Sequence, residues 1–343
     1  MSATPVVSVI IDAFWRADLL RHSIRSVGEQ THDKLEIILI DNGAQPDVKA
    51  CLAEAAAADP RVSLVHFTEN QYSEDDPMRM VDVCLNAGLE RATGEYVWYQ
   101  SYDDYIAPDY LERMVRLFSE NPNCTSAAGL PVSVDINGSR MEPPVRTHNL
   151  RERYVHGRDL ALDCLRGGNM FAAPGTIFTL PRELLVESGG YHRSVEDSHM
   201  YGIVAFGESG FDEKAEFFWR RHGDQLNKKI NATGRIFIKE QNDLLKKWKI
   251  EDRWQVYGES TAREVASSLD RRQTISAAGI FAQNFADLRL AACWRTLEML
   301  GFRWVFWQRL PGLLWEKRRQ FASNLLSKLR LREPLRRLTG RNV

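Results

Sequence analysis

Four short runs in the first hundred residues constrain the fold most: VVSVII (Val6 to Ile11), EIILI (Glu36 to Ile40), VSLVHF (Val62 to Phe67) and EYVWYQ (Glu95 to Gln100). The first two are rich in β-branched residues and show no alternation, and the last two are further candidates. Such runs suit strands covered on both faces, as in a parallel sheet. Between the first two, Leu20, Ile24 and Val27 recur at helical spacing, and PDYLERMVRLF follows the fourth with Pro108 at an expected helix start. Strand and helix in alternation specify an α/β fold with helices on the faces of the sheet.

That architecture directs the search for chemistry. Ligands of open α/β sheets bind beyond the carboxyl ends of the strands. Polar residues sit at those ends: Asp12 after the first strand, Asp41 and Asn42 after the second, and Ser101, Asp103 and Asp104 after the fourth. Asp103 and Asp104 put like charges side by side. They can form a solvated turn that caps the helix near Pro108, or hold a hard divalent cation, because Mg²⁺ and Mn²⁺ take carboxylate ligands together with substrate phosphate oxygens. The pair alone leaves both readings open.

Beyond residue 128 the alternation loosens. VSVDINGSRM predicts a hairpin around Asn137-Gly138, GRDLALDCLRGG a short helix, and APGTIFTLPRELLVESGGY a strand, a turn and a helix. Residues 129–230 are expected to complete the crevice, and residues 231–343 to form a helical extension. The chain carries 11 Lys and Arg against 2 Asp and Glu from 301 to 343, and 34 against 44 before that, so an acidic body bears a basic tail. Five scattered cysteines without a CxxC pair argue against a disulfide framework or a zinc site and suit a reducing cytoplasm. No run reaches the roughly 18 apolar residues of a membrane span. The early apolar run, cut by Asp12 and lacking a basic lead, does not read as a signal peptide. P-loop, GxGxxG and HExxH signatures are absent.

The order of three segments from about Pro5 to Asn227 resembles the family 2 glycosyltransferases of GT-A fold. SVIIDAFWRADLLRHSIRSVGEQTHDKLEIILIDNGA is similar to that family's opening strand, helix and second strand. CLNAGLERATGEYVWYQSYDDYIAPDYLE is similar to its Asn-containing helix, its Gly-Glu-Tyr strand start and its Asp-x-Asp region. PGTIFTLPRELLVESGGYHRSVEDSHMYGIVAFGESG and the later WRRHGDQLN resemble its acceptor-side Glu-Asp pair and Arg-x-His.

The resemblance implies a Rossmann-like mixed sheet flanked by helices, with residues 1–128 as the nucleotide-sugar half and 129–230 as the acceptor half. It implies inverting transfer of a sugar from a nucleotide-diphosphate donor to a hydroxyl, assisted by Mn²⁺ or Mg²⁺. Asp103 and Asp104 become the expected metal ligands, with His222 as a third. Asp197, supported by Glu196, becomes the expected general base. Either acidic residue could instead favour a helix N-terminus. Phe14 is expected to stack on the base, Asp12 to lie beside it, and Asp41 and Asn42 to reach the base or ribose. Arg220, Arg221 and Arg79 are expected near the phosphates.

Three departures from the family pattern stand out. Ser101 replaces the first carboxylate of the usual acidic run, Asn42 replaces an aspartate, and DAFW replaces the usual Pro-Thr-Tyr-Asn after the first strand. They motivate an alternative, a glycosyltransferase-like protein without catalysis that serves in assembly at a membrane. A nucleotidyltransferase is more remote, since DAFWRAD is not a phosphate loop.

The tail mixes Trp, Phe and Leu with Arg and Lys. Phe321, Leu325 and Leu329 recur at helical spacing, with Leu326 beside them and Lys317, Arg318, Lys328 and Arg332 for a polar face. Such a helix suits an anionic membrane surface or packs against the protein. A peripheral position on the cytoplasmic face and a lipid-linked or cell-surface glycan acceptor follow from the first option. Nucleic acid is not expected, because no binding module accompanies the charge.

Overall fold

The computed structural model describes residues 4–73, 76, 79–142, 153–165, 178–192, 195–223, 225–234, 249–301 and 303–329. Two compact units divide the chain, Met1–His222 and Gly223–Val343.

The first unit is built on one mixed sheet. Strands β1 (Val7–Ala13), β2 (Leu35–Asn42), β3 (Val62–Phe67) and β4 (Tyr96–Gln100) form its parallel half in the order β3-β2-β1-β4. All four coincide with the predicted runs to within two residues at each end. β1 is buried along its whole length, as its unbroken apolar run requires. Helices α1 (Ala17–Gly28), α2 (Pro46–Ala58) and α3 (Asn86–Arg91) provide the crossovers, the last continuing a π-helical turn at Val81–Leu85.

Register at the start of these strands is pinned by polar groups. Ser8 Oγ donates to Glu36 Oε2 at 2.6 Å and accepts the Gly94 N–H at 2.9 Å, while Glu36 also accepts the Thr93 N–H at 2.8 Å. A Cβ on Gly94 would lie 2.6 Å from Ser8 Oγ and 2.8 Å from the Val6 carbonyl oxygen, so only glycine lets β4 start this close to β1.

The second half of the sheet is mixed. After β5 (Tyr105–Ile106) comes α4 (Tyr110–Glu120), which begins two residues beyond Pro108, whose carbonyl accepts the Thr31 N–H. Then follow β6 (Cys124–Val134), β7 (Tyr154–His156), α5 (Gly157–Leu165), β8 (Phe178–Pro181), α6 (Arg182–Glu187), α7 (Val195–Gly202) and β9 (Glu208–Arg220). Strand β8 joins the halves, antiparallel to both β4 and β6, and β6 runs parallel to β9. The boundary expected at 128/129 falls inside β6, which continues without a break in the chain. Its end turns back at the predicted Asn137-Gly138 hairpin, where Gly138 takes φ +89° and Asp135 and Ser139 bond across the turn.

The second unit is helical: α8 (Leu226–Thr233), α9 (Ile250–Trp254), α10 (Glu259–Ala286), α11 (Leu290–Leu300) and α12 (Trp304–Lys328). Ala277, Ala278, Ala282, Leu300, Phe306 and Leu310 form its buried cluster. The apolar stripe, expected either at a membrane surface or packed against the protein, turns inward at Phe321. Phe321 stacks on Phe285 of α10 with ring centroids 5.0 Å apart, and Asn324 Nδ2 donates to the Ala286 carbonyl at 2.9 Å. Of the three stripe residues only Leu329 is exposed. Packing against α10 removes more apolar surface from water than solvent exposure of the same ring could. Arg332 lies outside the described residues. No described helix is long and apolar enough to cross a membrane.

Candidate active site

The carboxyl ends of β1 and β4 meet over α1, and the sequence folds the Asp-Asp turn tightly there. Gln100, the last residue of β4, is fully buried and donates through Nε2 to Ser23 Oγ of α1 at 2.9 Å and to the Asp104 carbonyl at 3.3 Å. Ser23 Oγ in turn donates to the Ser101 carbonyl at 3.1 Å. A serine on the buried face of α1 and a glutamine at a strand end therefore shape the turn that holds the acidic pair.

Asp103 and Asp104 are both buried. Asp103 Oδ1 accepts the Ser101 hydroxyl at 2.7 Å, and Oδ2 meets His222 Nε2 at 2.8 Å. Asp104 Oδ1 accepts the Arg220 backbone N–H at 2.8 Å. Burial, then the neighbouring Asp103 charge, push the Asp104 carboxyl well above the usual range, while the Arg220 N–H and the Arg220 and Arg221 charges oppose the shift. The turn is neither a solvated loop nor a helix cap: its carboxylates face inward and meet the end of β9.

Asp12 joins them from β1. Its Oδ1 accepts the Tyr99 hydroxyl at 2.9 Å, and burial raises its pKa to about 6 against the lowering effect of that bond. From Tyr99 a series of rings leads to α7. Tyr191 sits edge-on to Tyr99 at 6.3 Å and tilts on His199 at 5.5 Å. His199 belongs to α7, so the helix carrying Glu196 and Asp197 is tied to the same end of the sheet. The side chains of Glu196 and Asp197 lie outside the described structure. Asn86 secures the intervening turn: its Nδ2 donates to the Tyr191 carbonyl at 3.0 Å and its Oδ1 accepts the Tyr191 N–H at 2.8 Å.

Several expected residues make contacts within the protein. Arg220 was expected at the donor phosphates, yet it is 2% exposed and its guanidinium points inward. Nη2 donates to His22 Nδ1 at 2.8 Å, Nη1 donates to the Asp103 carbonyl, and the group lies 4.9 Å from the Tyr105 ring centroid. Two buried carboxylates attract the nearest cation into the core. Arg221 lies over the Trp219 ring at 4.0 Å, and Arg79 is exposed at the head of the π-helical segment.

Asp41 and Asn42 are engaged locally. Asp41 Oδ1 accepts the Ala44 N–H at 2.7 Å and Oδ2 pairs with His66 Nδ1 at 3.1 Å, while Asn42 Oδ1 accepts the Gln71 N–H at 2.8 Å. This is the turn-stabilising use of Asx side chains. Phe14 is half-buried, and its carbonyl accepts the Gln45 N–H at 3.1 Å, which joins the turns after β1 and β2.

Four residues were missed by sequence reasoning. His22 accepts from Arg220, and Tyr99 holds Asp12. Trp15 Nε1 donates to the Tyr102 hydroxyl at 2.9 Å, linking the turns after β1 and β4. The alternation of β4 offered one signal: Trp98 fills the core on one face, so Tyr99 must point to the other.

The donor set fits a hard divalent cation. Two adjacent carboxylates and an imidazole are oxygen and nitrogen ligands suited to Mn²⁺ or Mg²⁺. Among the described residues no group of three or more His, Cys, Asp or Glu could hold a metal ion by itself. Such cations commonly take one or two protein carboxylates and complete their shell with phosphate oxygens and water, so a cage made of protein alone is not required.

Comparison with known proteins agrees with this geometry. EpsH of Bacillus subtilis (strain 168), assigned as a glycosyltransferase, is 34% identical over 116 residues, covering 33% of this chain and 30% of EpsH. The GalNAc(5)-diNAcBac-PP-undecaprenol beta-1,3-glucosyltransferase of Campylobacter jejuni is 27% identical over 143 residues, 40% of this chain and 44% of its own. The match spans less than half the length of either relative. Among solved structures, the mannosyltransferase PcManGT from Pyrobaculum calidifontis, in complex with GDP-Man and Mn²⁺, gives a TM-score of 0.52 at 19% identity over 95% of this chain and 89% of that one. Residues 8–187, more than half of the chain, match the family described as glycosyl transferase family 2. The chain therefore belongs to glycosyl transferase family 2, built on the GT-A fold.

Proposed function

We propose that the chain moves a sugar, with inversion, from a nucleotide-diphosphate donor to a hydroxyl acceptor on a lipid-linked or cell-surface glycan precursor, at the cytoplasmic face of a membrane. The observation that carries the reading is the meeting of Asp103 with His222 at 2.8 Å beyond the carboxyl end of β4, braced by Arg220. In an open α/β sheet this is where a nucleotide ligand binds. The relative that acts on an undecaprenol-linked glycan and the neighbour holding GDP-Man and Mn²⁺ support the substrate classes.

Asp103, with Asp104 and His222, would hold the divalent cation, which supplies Lewis-acid neutralisation of the leaving diphosphate. Ser101 orients Asp103 by donating to Oδ1, and leaves Oδ2 toward His222. Arg220 offsets the like charges of the pair, so that both can stay close enough to act together. Asp12, held by Tyr99, fixes the floor beside the turn after β1, where Phe14 is the ring available to the base. Asp197 on α7 removes the proton from the acceptor hydroxyl as that oxygen attacks the anomeric carbon from the face opposite the diphosphate.

The test separates binding from transfer. Asp197→Asn keeps donor binding within about threefold and lowers transfer by at least about 100-fold, the lower end of what a general base contributes. Equal transfer by the parent and this variant would remove Asp197 from the reaction.

A further inference from the structure

We infer that the protein docks on an anionic lipid bilayer through one face of α12, the face that carries Trp304, Trp307 and Trp315, with Arg318 and Arg319 beside them. The inference deepens the membrane-side acceptor proposed above and rests on that reading only for its purpose, not for its chemistry.

At 100° per residue the three indoles fall within about 80° of one another around the helix. They are 64%, 41% and 67% exposed, whereas Phe306 and Leu310, whose mean direction lies about 120° round the same helix, are 0% and 7% exposed. The helix thus buries one apolar stripe in its own bundle and presents a second one, made of tryptophan, to solvent. Single exposed hydrophobics are ordinary, but an aligned aromatic row marks an interaction surface. Tryptophan, with an apolar body and an N–H at its edge, partitions to the boundary between acyl chains and headgroups.

Charge selects the occupant. Between Trp304 and Lys328 the helix has five basic residues, Arg309, Lys317, Arg318, Arg319 and Lys328, against the single acid Glu316. The Arg318 guanidinium lies 4.1 Å over the Trp315 ring and donates to the Trp315 carbonyl at 2.5 Å, so positive charge is fixed against the aromatic row. A second copy of the chain meeting this face by two-fold symmetry would set these arginines against their own images. A plane of lipid phosphates offers the opposite charge, with the indoles at headgroup depth. The Trp row lies on earlier turns of the helix than Phe321, the point at which α12 packs on α10.

The experiment is co-sedimentation of the full chain with vesicles of phosphatidylcholine, alone or mixed with phosphatidylglycerol. Binding is expected to the mixed vesicles only, and to weaken between 0.1 and 1 M salt as the screening length falls from about 10 to 3 Å. Replacing all three indoles, Trp304→Ser, Trp307→Ser and Trp315→Ser together, should lower vesicle affinity at least about tenfold. Each basic charge contributes about fivefold near an anionic surface, so Arg318→Glu with Arg319→Glu should lower it more than about tenfold. Both variants alter exposed side chains and should melt with the parent. Parent protein that ignores anionic vesicles, or variants that bind them equally, would overturn the inference. A dimer in light scattering that the Trp variant abolishes, without vesicle binding by the parent, would assign the face to a second copy instead. Nucleotide titration of the same samples reports the donor site separately, so failure of one reading is not failure of the other.

Discussion

Arg220→Met should unlock the acidic turn. In the parent, the buried guanidinium holds the Asp103 carbonyl and His22 Nδ1 and supplies the opposing charge for Asp104. Methionine fills much of the same volume but leaves a buried carboxylate without its counter-charge, which costs about 3–5 kcal/mol. In a unit spanning Met1–His222, a loss of that size lowers the melting temperature by about 10 °C, at roughly 2–4 °C per kcal/mol. Arg220→Lys should fall between, since one ammonium cannot serve both partners in the plane of a guanidinium. The diagnostic is a double-mutant cycle with Asp104→Asn. If Arg220 acts by compensating Asp104, the double variant should recover about 1–3 kcal/mol relative to the sum of the singles. The deficit of Arg220→Met should also shrink at lower pH, because a protonated Asp104 needs no counter-charge. Thermal melts by circular dichroism, with urea midpoints for each member of the cycle, provide the numbers. A loss below about 1 kcal/mol, or strict additivity, would refute the reasoning.

Other consequences can be checked with the same preparations. His222→Ala and Asp103→Asn should each weaken Mn²⁺-dependent nucleotide binding by more than roughly tenfold, read by calorimetry, and leave metal-free binding unchanged. Burial holds the His199 imidazole down to about 3 from its ordinary 6.5, and its Nε2 has no hydrogen-bond partner among the described residues. The unfolded chain therefore takes up a proton that the folded chain refuses. Stability from this group is full above pH 6.5 and falls by about 1.4 kcal/mol per pH unit below it, a slope that His199→Gln should flatten in urea titrations at pH 7 and pH 5.

Much of the parallel half of the sheet was legible because β1 and β2 are buried on both faces, and that burial demands the unbroken apolar runs seen in the sequence. The positions of Asp12, Ser101, Asp103 and Asp104 followed from strand ends alone. The partners of these residues did not, because they come from far along the chain. His222, expected only through the family resemblance of WRRHGDQLN, and Arg220 reach the turn through the pairing of β9 with β5 and β6, which strand ends do not report. Asp41 and Asn42 read equally well as ligand contacts or turn braces, and their bonds to Ala44 and Gln71 reveal the second use. For α12 the spacing of Phe321 and Leu325 identified an apolar stripe, but periodicity does not say whether that stripe meets the protein or a surface outside it. Phe285 and the Phe306 cluster decide that.

The central claim is that the crevice around Asp103 binds a nucleotide diphosphate with a divalent cation. Calorimetric titration of the full chain with UDP, GDP and dTDP, each with and without Mn²⁺, tests it most directly. The account predicts that one nucleotide binds, that Mn²⁺ strengthens the binding, and that Asp103→Asn abolishes the metal's contribution. A folded sample that binds none of the three, with or without Mn²⁺, would contradict it and favour a role in assembly without catalysis.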